Sequence, residues 1–85
     1  MIITKEIFEK TCLEVFPNCC FKPSLCWADM VSEFAYNGEH GWIIADICVS
    51  GECRVYTEHC ALDYTSSIQE FKKQLEQRKQ SCGGG

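Results

Sequence analysis

The chain has no C-x2-C pair, no nucleotide-binding motif at full strength, and no run of about 20 apolar residues able to cross a bilayer. Its start, Met1-Ile2-Ile3-Thr4-Lys5-Glu6, also lacks the apolar core of a signal peptide. These absences predict a cytoplasmic protein with no membrane association, no bound metal and no cofactor. Basic residues are scarce, with Lys and Arg totalling 8 against 12 Asp and Glu. Direct nucleic-acid binding needs a basic footprint and is therefore not expected. With 85 residues there is room for one domain, read as residues 1–80, followed by a flexible Gly-rich tail over 81–85.

Charge is distributed unevenly. Residues 1–23 balance to zero, whereas 24–63 set Asp29, Glu33, Glu39, Asp46, Glu52, Glu58 and Asp63 against Arg54 alone. The remainder is basic, with Lys72, Lys73, Arg78 and Lys79 against Glu70 and Glu76. An acidic middle predicts a protein partner with a basic surface.

Cysteine is abundant: Cys12, Cys19, Cys20, Cys26, Cys48, Cys53, Cys60 and Cys82. In a secreted chain this number would mean four disulfides, so a disulfide-stapled secreted module is one alternative. The other is eight reduced thiols acting as small core residues, which the unsignalled start favours.

The local pattern predicts an α+β domain in the order α-α-β-β-α, one antiparallel hairpin packed on helices. A first helix runs from Thr4 or Lys5 to Phe16, with Ile7/Phe8, Cys12 and Val15/Phe16 as its apolar stripe, and Pro17 ends it. Residues 17–23 read as a connector between prolines. A second helix is expected over Leu25–Tyr36, because Cys26, Trp27, Met30, Val31, Phe34 and Ala35 share one face at helical spacing. Two β-rich runs flank Ser50-Gly51, and a two-residue loop pairs Val49 with Glu52, Cys48 with Cys53, Ala45 with Tyr56 and Trp42 with His59. Thr65 or Ser66 caps a last helix that turns Ile68, Phe71 and Leu75 inward. A two-stranded sheet leaves open edges, which allow a homodimer.

Three constellations bear on chemistry. Cys53, His59, Cys60 and His40 crowd the strand ends, yet adjacent His59 and Cys60 point to opposite sheet faces, so no zinc site is expected. Cys26-Trp27 opening a helix, His40 before the strand Gly41-Trp42-Ile43-Ile44, and Asp46 or Asp63 further on resemble the papain and transglutaminase-like order. That resemblance implies a thiol hydrolase with Cys26 as nucleophile, His40 as base and Asp46 or Asp63 as orienting carboxylate. Third, Glu52, Arg54, Tyr56 and Glu58 alternate onto one strand face, with acids upstream, forming a stripe able to imitate a row of phosphates.

The aromatic residues Trp42, Tyr36, Tyr56 and Tyr64, ringed by charge, suit gripping a protein better than performing chemistry. The partner-binding residues read from the pattern are Trp42, Asp46, Glu52, Tyr56, Glu58 and Glu39. In size, acidity and lack of enzymatic motif the chain resembles small anti-defence proteins of phages and mobile elements, of the anti-CRISPR type. The resemblance implies a viral inhibitor, cytoplasmic in the host cell, that binds a nucleic-acid-handling host protein by occlusion or acidic mimicry.

Overall fold

A computed structural model describes residues 2–23, 31–37, 42–57 and 59–83. The class is α+β: two helices and a four-stranded antiparallel sheet, with the elements in the order α1 (Lys5–Val15), β1 (Cys19–Pro23), β2 (Val31–Asn37), β3 (Ile43–Cys48), β4 (Cys53–Val55) and α2 (Ile68–Gly83). The strands lie side by side in chain order, a meander in which each neighbour is antiparallel.

The first helix forms as its sequence predicts. Thr4 caps it, its Oγ1 accepting the Ile7 N–H at 3.2 Å, and Glu6 sits in the first turn where the helix dipole favours an acid. Its inward face is Phe8, Thr11, Cys12 and Val15; Ile7, expected in the stripe, is 38% exposed. Phe16-Pro17-Asn18-Cys19 then reverses the chain, with the Cys19 N–H donating to the Phe16 carbonyl at 3.0 Å and Pro17 presetting the turn.

The middle of the chain departs from the expected second helix. Val31–Asn37, its second half, is strand β2; residues 24–30, including Cys26, lie outside the described residues. Val31, Glu33 and Ala35 are buried while Ser32, Phe34 and Tyr36 are half-exposed, the period of two that a strand imposes. The expected connector contains strand β1. Pro23 is tolerated there because it ends a strand at the edge of the sheet, where a missing N–H breaks no central ladder. The physical reason for the whole difference is that a lone hairpin buries too little; four strands give the helices a platform.

The hairpin between β3 and β4 is present, in a register one residue away from the expected one. Ala45 faces Val55, Asp46 faces Arg54 and Ile47 faces Cys53, so the connection is a three-residue loop, Val49-Ser50-Gly51. Gly51 takes φ 86°, the left-handed conformation such a loop needs, and a Cβ there would overlap the Ile2 side chain. The Ile3 N–H bonds to the Gly51 carbonyl at 3.1 Å, tying the start of the chain to this turn. Register matters because Cys48 and Cys53, expected as direct partners, are no longer opposite each other. Opposite charges at Asp46 and Arg54 are opposed instead.

The outer edge of β4 is covered by the chain itself. Cys53 and Thr65 exchange two backbone bonds at 2.9 and 2.7 Å, and the Leu62 N–H bonds to the Val55 carbonyl at 2.9 Å. This leaves β1 as the strand edge to which the homodimer expectation applies. Ser67, rather than Thr65 or Ser66, caps α2 by accepting the Glu70 N–H at 3.2 Å. Phe71 and Leu75 are fully buried and Ile68 packs beside them, as expected. The helix continues through Ser81 and Cys82 to Gly83, so the predicted tail is helical over its first residues. No helix among the described residues is long and apolar enough to cross a membrane.

Both helices pack on one face of the sheet. Phe21, Ala35, Ala45 and Val55 form a row across all four strands on that face, and Phe8 of α1 meets Phe21 edge-on and stacks on Phe71 of α2. Alternation along each strand sends the neighbouring row, Lys22, Phe34, Asp46 and Arg54, to the opposite face.

Candidate functional site

The face turned away from the helices combines aromatic side chains with a buried ion pair. At its centre Asp46 is fully buried, and its carboxylate accepts from the Arg54 Nε at 3.1–3.2 Å and from the Tyr56 hydroxyl at 2.5 Å. The Arg54 Nη2 donates to the same Tyr56 oxygen at 2.8 Å, closing a triangle. The guanidinium also lies over two rings, 4.4 Å from the Tyr64 centroid and 5.1 Å from that of Tyr56. Burial alone would lower the Arg54 pKa, but the adjacent Asp46 carboxylate holds it above its ordinary value. Tyr56 is pushed up to about 12, by burial and then by its bond to Asp46. Arg54 is charged and Tyr56 is a neutral donor at any physiological pH.

Towards the other edge the face is aromatic and more open. Phe34 and Tyr36 are half-exposed neighbours on β2 with centroids 6.1 Å apart, and the Lys22 ammonium lies 5.4 Å over the Tyr36 ring. Trp42, 53% exposed, stands at the start of the strand that pairs with β2, where its carbonyl accepts the Asn37 N–H at 2.7 Å.

The residues named from sequence are scattered by this arrangement. Trp42 is exposed at the end of the β2–β3 ladder, and Glu52 lies at the turn, where its Oε1 accepts the Ser50 hydroxyl at 3.1 Å. Tyr56 is half-buried with its hydroxyl committed to Asp46. Asp46 itself is no part of an acidic surface, because the one-residue register difference places it against Arg54 and under aromatic cover. Cys26, His40, Glu39 and Glu58 lie outside the described residues. The sequence named Tyr36 and Tyr64 as aromatic anchors but placed Phe34 and Tyr36 on a helix, and Lys22, which lies over the Tyr36 ring, was not singled out. The alternation Val31, Glu33, Ala35 against Phe34, Tyr36 was the signal for them.

Three of the six described thiols belong to the other side. Cys12, Cys19 and Cys53 are in the apolar core and Cys48 is buried, while Cys20 and Cys60 are exposed; all six are free. Burial pushes Cys19 up to about 11 and Cys53 to about 12, and raises Cys12 further still. Thiolate is the reactive form, so alkylation of the native protein at pH 8 should mark Cys20 and Cys60 at least a hundredfold faster than Cys12 and Cys53. Timed iodoacetamide labelling with peptide mass spectrometry checks this. Equal rates at all four would mean that the core opens freely.

Among the described residues no cluster of three metal-ligating side chains is found. Comparison of the chain with protein-family models, curated proteins and solved structures found no match.

Proposed function

We propose that the chain is a non-catalytic protein-binding module, an inhibitor of a larger, nucleic-acid-handling host protein such as a defence effector, acting by steric occlusion. The observation that carries this reading is the sheet face on which neither helix of the described residues packs, where Lys22, Phe34 and Tyr36 lie beside a rigid Asp46–Arg54–Tyr56 network, with Trp42 exposed at the end of the β2–β3 ladder. Rigid aromatic side chains supply contact area at low entropic cost, which is how interface anchors work. Occlusion is favoured over acidic mimicry because Asp46, one of the acids read as partner-binding, is fully buried and paired with Arg54. The net negative charge of residues 24–63, with Glu52 at the turn, still favours a partner whose surface is basic.

Site-specific photo-crosslinking in cells tests the reading. A benzophenone side chain at Trp42 should capture a discrete protein, and one at Gln77, on the exposed side of α2, should not. With that partner in hand, Trp42→Ala should weaken binding by about 2 kcal/mol or more, mainly through faster dissociation. Glu52→Lys should instead slow association and change its salt dependence. Capture from Gln77 in place of Trp42, or from neither, would sink the proposal.

A further inference from the structure

Glu33 is out of place by the ordinary logic of the fold. It lies on the helix side of the sheet, in a row that reads Pro23, Glu33, Ile47 and Cys53 across the four strands, and it is only 5% exposed. Its Oε2 is buried without a hydrogen-bond partner. The strand neighbours Pro23 and Ile47 offer no charge. From α1, Glu9 reaches Glu33 at hydrogen-bonding distance and Glu6 adds a second negative charge, with Lys5 as the opposing cation. Cys12, one turn beyond Glu9, is the remaining titratable group on α1 that faces Glu33, and its buried thiol is neutral.

Two carboxylates in contact, one of them buried, cannot both be ionised without large cost, so one proton stays between them. We propose that Glu33 and Glu9 share a single proton at mildly acidic pH, and that this proton latches α1 to the sheet, so that the joint loosens as pH rises through neutrality. With the proton present, the Glu33 carboxyl donates to the Glu9 carboxylate across the helix–sheet interface, a charge-assisted bond. With the proton removed, Glu6, Glu9 and Glu33 repel one another, and Lys5 is the opposing cation among the described residues. Burial first, then the bond and the charge of Glu9, push Glu33 up to about 7, well above the usual carboxylate value.

The direction of the pH effect follows from linkage. A carboxyl whose pKa is raised on folding binds its proton more tightly in the native state than in the unfolded chain. The contribution is therefore complete below the ordinary carboxylate value, near 4.5, and is lost as pH rises to about 7. Most acidic groups in folded proteins act in the opposite sense, so this signature is distinctive. The latch is independent of the binding face, which lies on the other side of the sheet.

Carbon-13 NMR of the full chain with labelled glutamate side chains tests it. One carboxyl should titrate with a midpoint near 7, vanish in Glu33→Gln and move down in Glu9→Gln. The urea midpoint of the wild type should fall between pH 5 and pH 8, and the α1 amides should exchange several-fold faster at pH 8 after correction for the intrinsic rate. Glu33→Gln should be flat across that window in both measurements. Every glutamate titrating in the ordinary carboxylate range would overturn the proposal, as would an unchanged pH slope in Glu33→Gln. Should that variant fail to fold, the wild-type titration decides alone.

Discussion

Arg54→Met is expected to destabilise the protein by about 3–5 kcal/mol, because it leaves the Asp46 carboxylate without its counter-ion at a fully buried position. For a domain of this size that is a large part of the total stability, which runs to roughly 5–10 kcal/mol. The single change Asp46→Leu should cost less, since the Arg54 side chain is 26% exposed and its charged end keeps some contact with water. The informative variant is the double one. Asp46→Leu with Arg54→Met removes both charges and replaces them with apolar volume, and should lie within about 1–2 kcal/mol of the wild type. Urea denaturation of the four proteins at one pH and salt concentration gives the cycle directly. Equal losses for the single and double variants would mean that the charges do not compensate each other.

Phe8→Ala should have a comparable effect by a different mechanism. Phe8 is fully buried and joins three elements, stacking on Phe71 at 5.6 Å and meeting Phe21 edge-on at 6.0 Å. Truncating a core phenylalanine typically costs about 3–5 kcal/mol through lost burial and the cavity left behind, and the two ring contacts add to it. Leu13→Ala on the same helix is the control. Leu13 is 42% exposed, so its truncation should stay within about 0.5 kcal/mol. Thermal unfolding followed by circular dichroism separates the two. A similar loss for both would show that α1 is stabilised by its helical propensity rather than by its seating on the sheet.

These two sites mark where the sequence was legible and where it was not. Phe8, Cys12, Val15, Phe71 and Leu75 recur at helical spacing behind Thr4 and in front of charged faces, and all are buried as their spacing implies. Local information suffices there, because a capped amphipathic helix is specified by residues within a few turns of one another. The Ser50-Gly51 turn was legible for the same reason, since only glycine takes its left-handed conformation without strain.

The middle of the chain was not legible locally. Val31, Phe34 and Ala35 satisfy a helical stripe if read with Trp27 and Met30, and satisfy a strand if read with Glu33 and Tyr36. Propensity is too weak to choose between them, and the ladders with β1 and β3 decide. Asp46 shows the same limit at the scale of one residue. As a lone acid on a strand it reads as surface; only the three-residue loop brings it opposite Arg54, and only the fold of residues 61–65 back along β4 brings Tyr64 over that pair.

The sequence by itself determined the α+β class, the two terminal helices with their buried faces, and the position of the β3–β4 turn. Each of these depends on caps, turn residues and periodicity within one stretch of chain. The tertiary structure alone decided that β2 is a strand, that Asp46 is an internal anchor, that Phe34 and Tyr36 share a face with Lys22, and that Glu33 meets Glu9. Each of these depends on pairing between residues distant in sequence, set by strand register and by which face the helices cover, and the local pattern leaves it open.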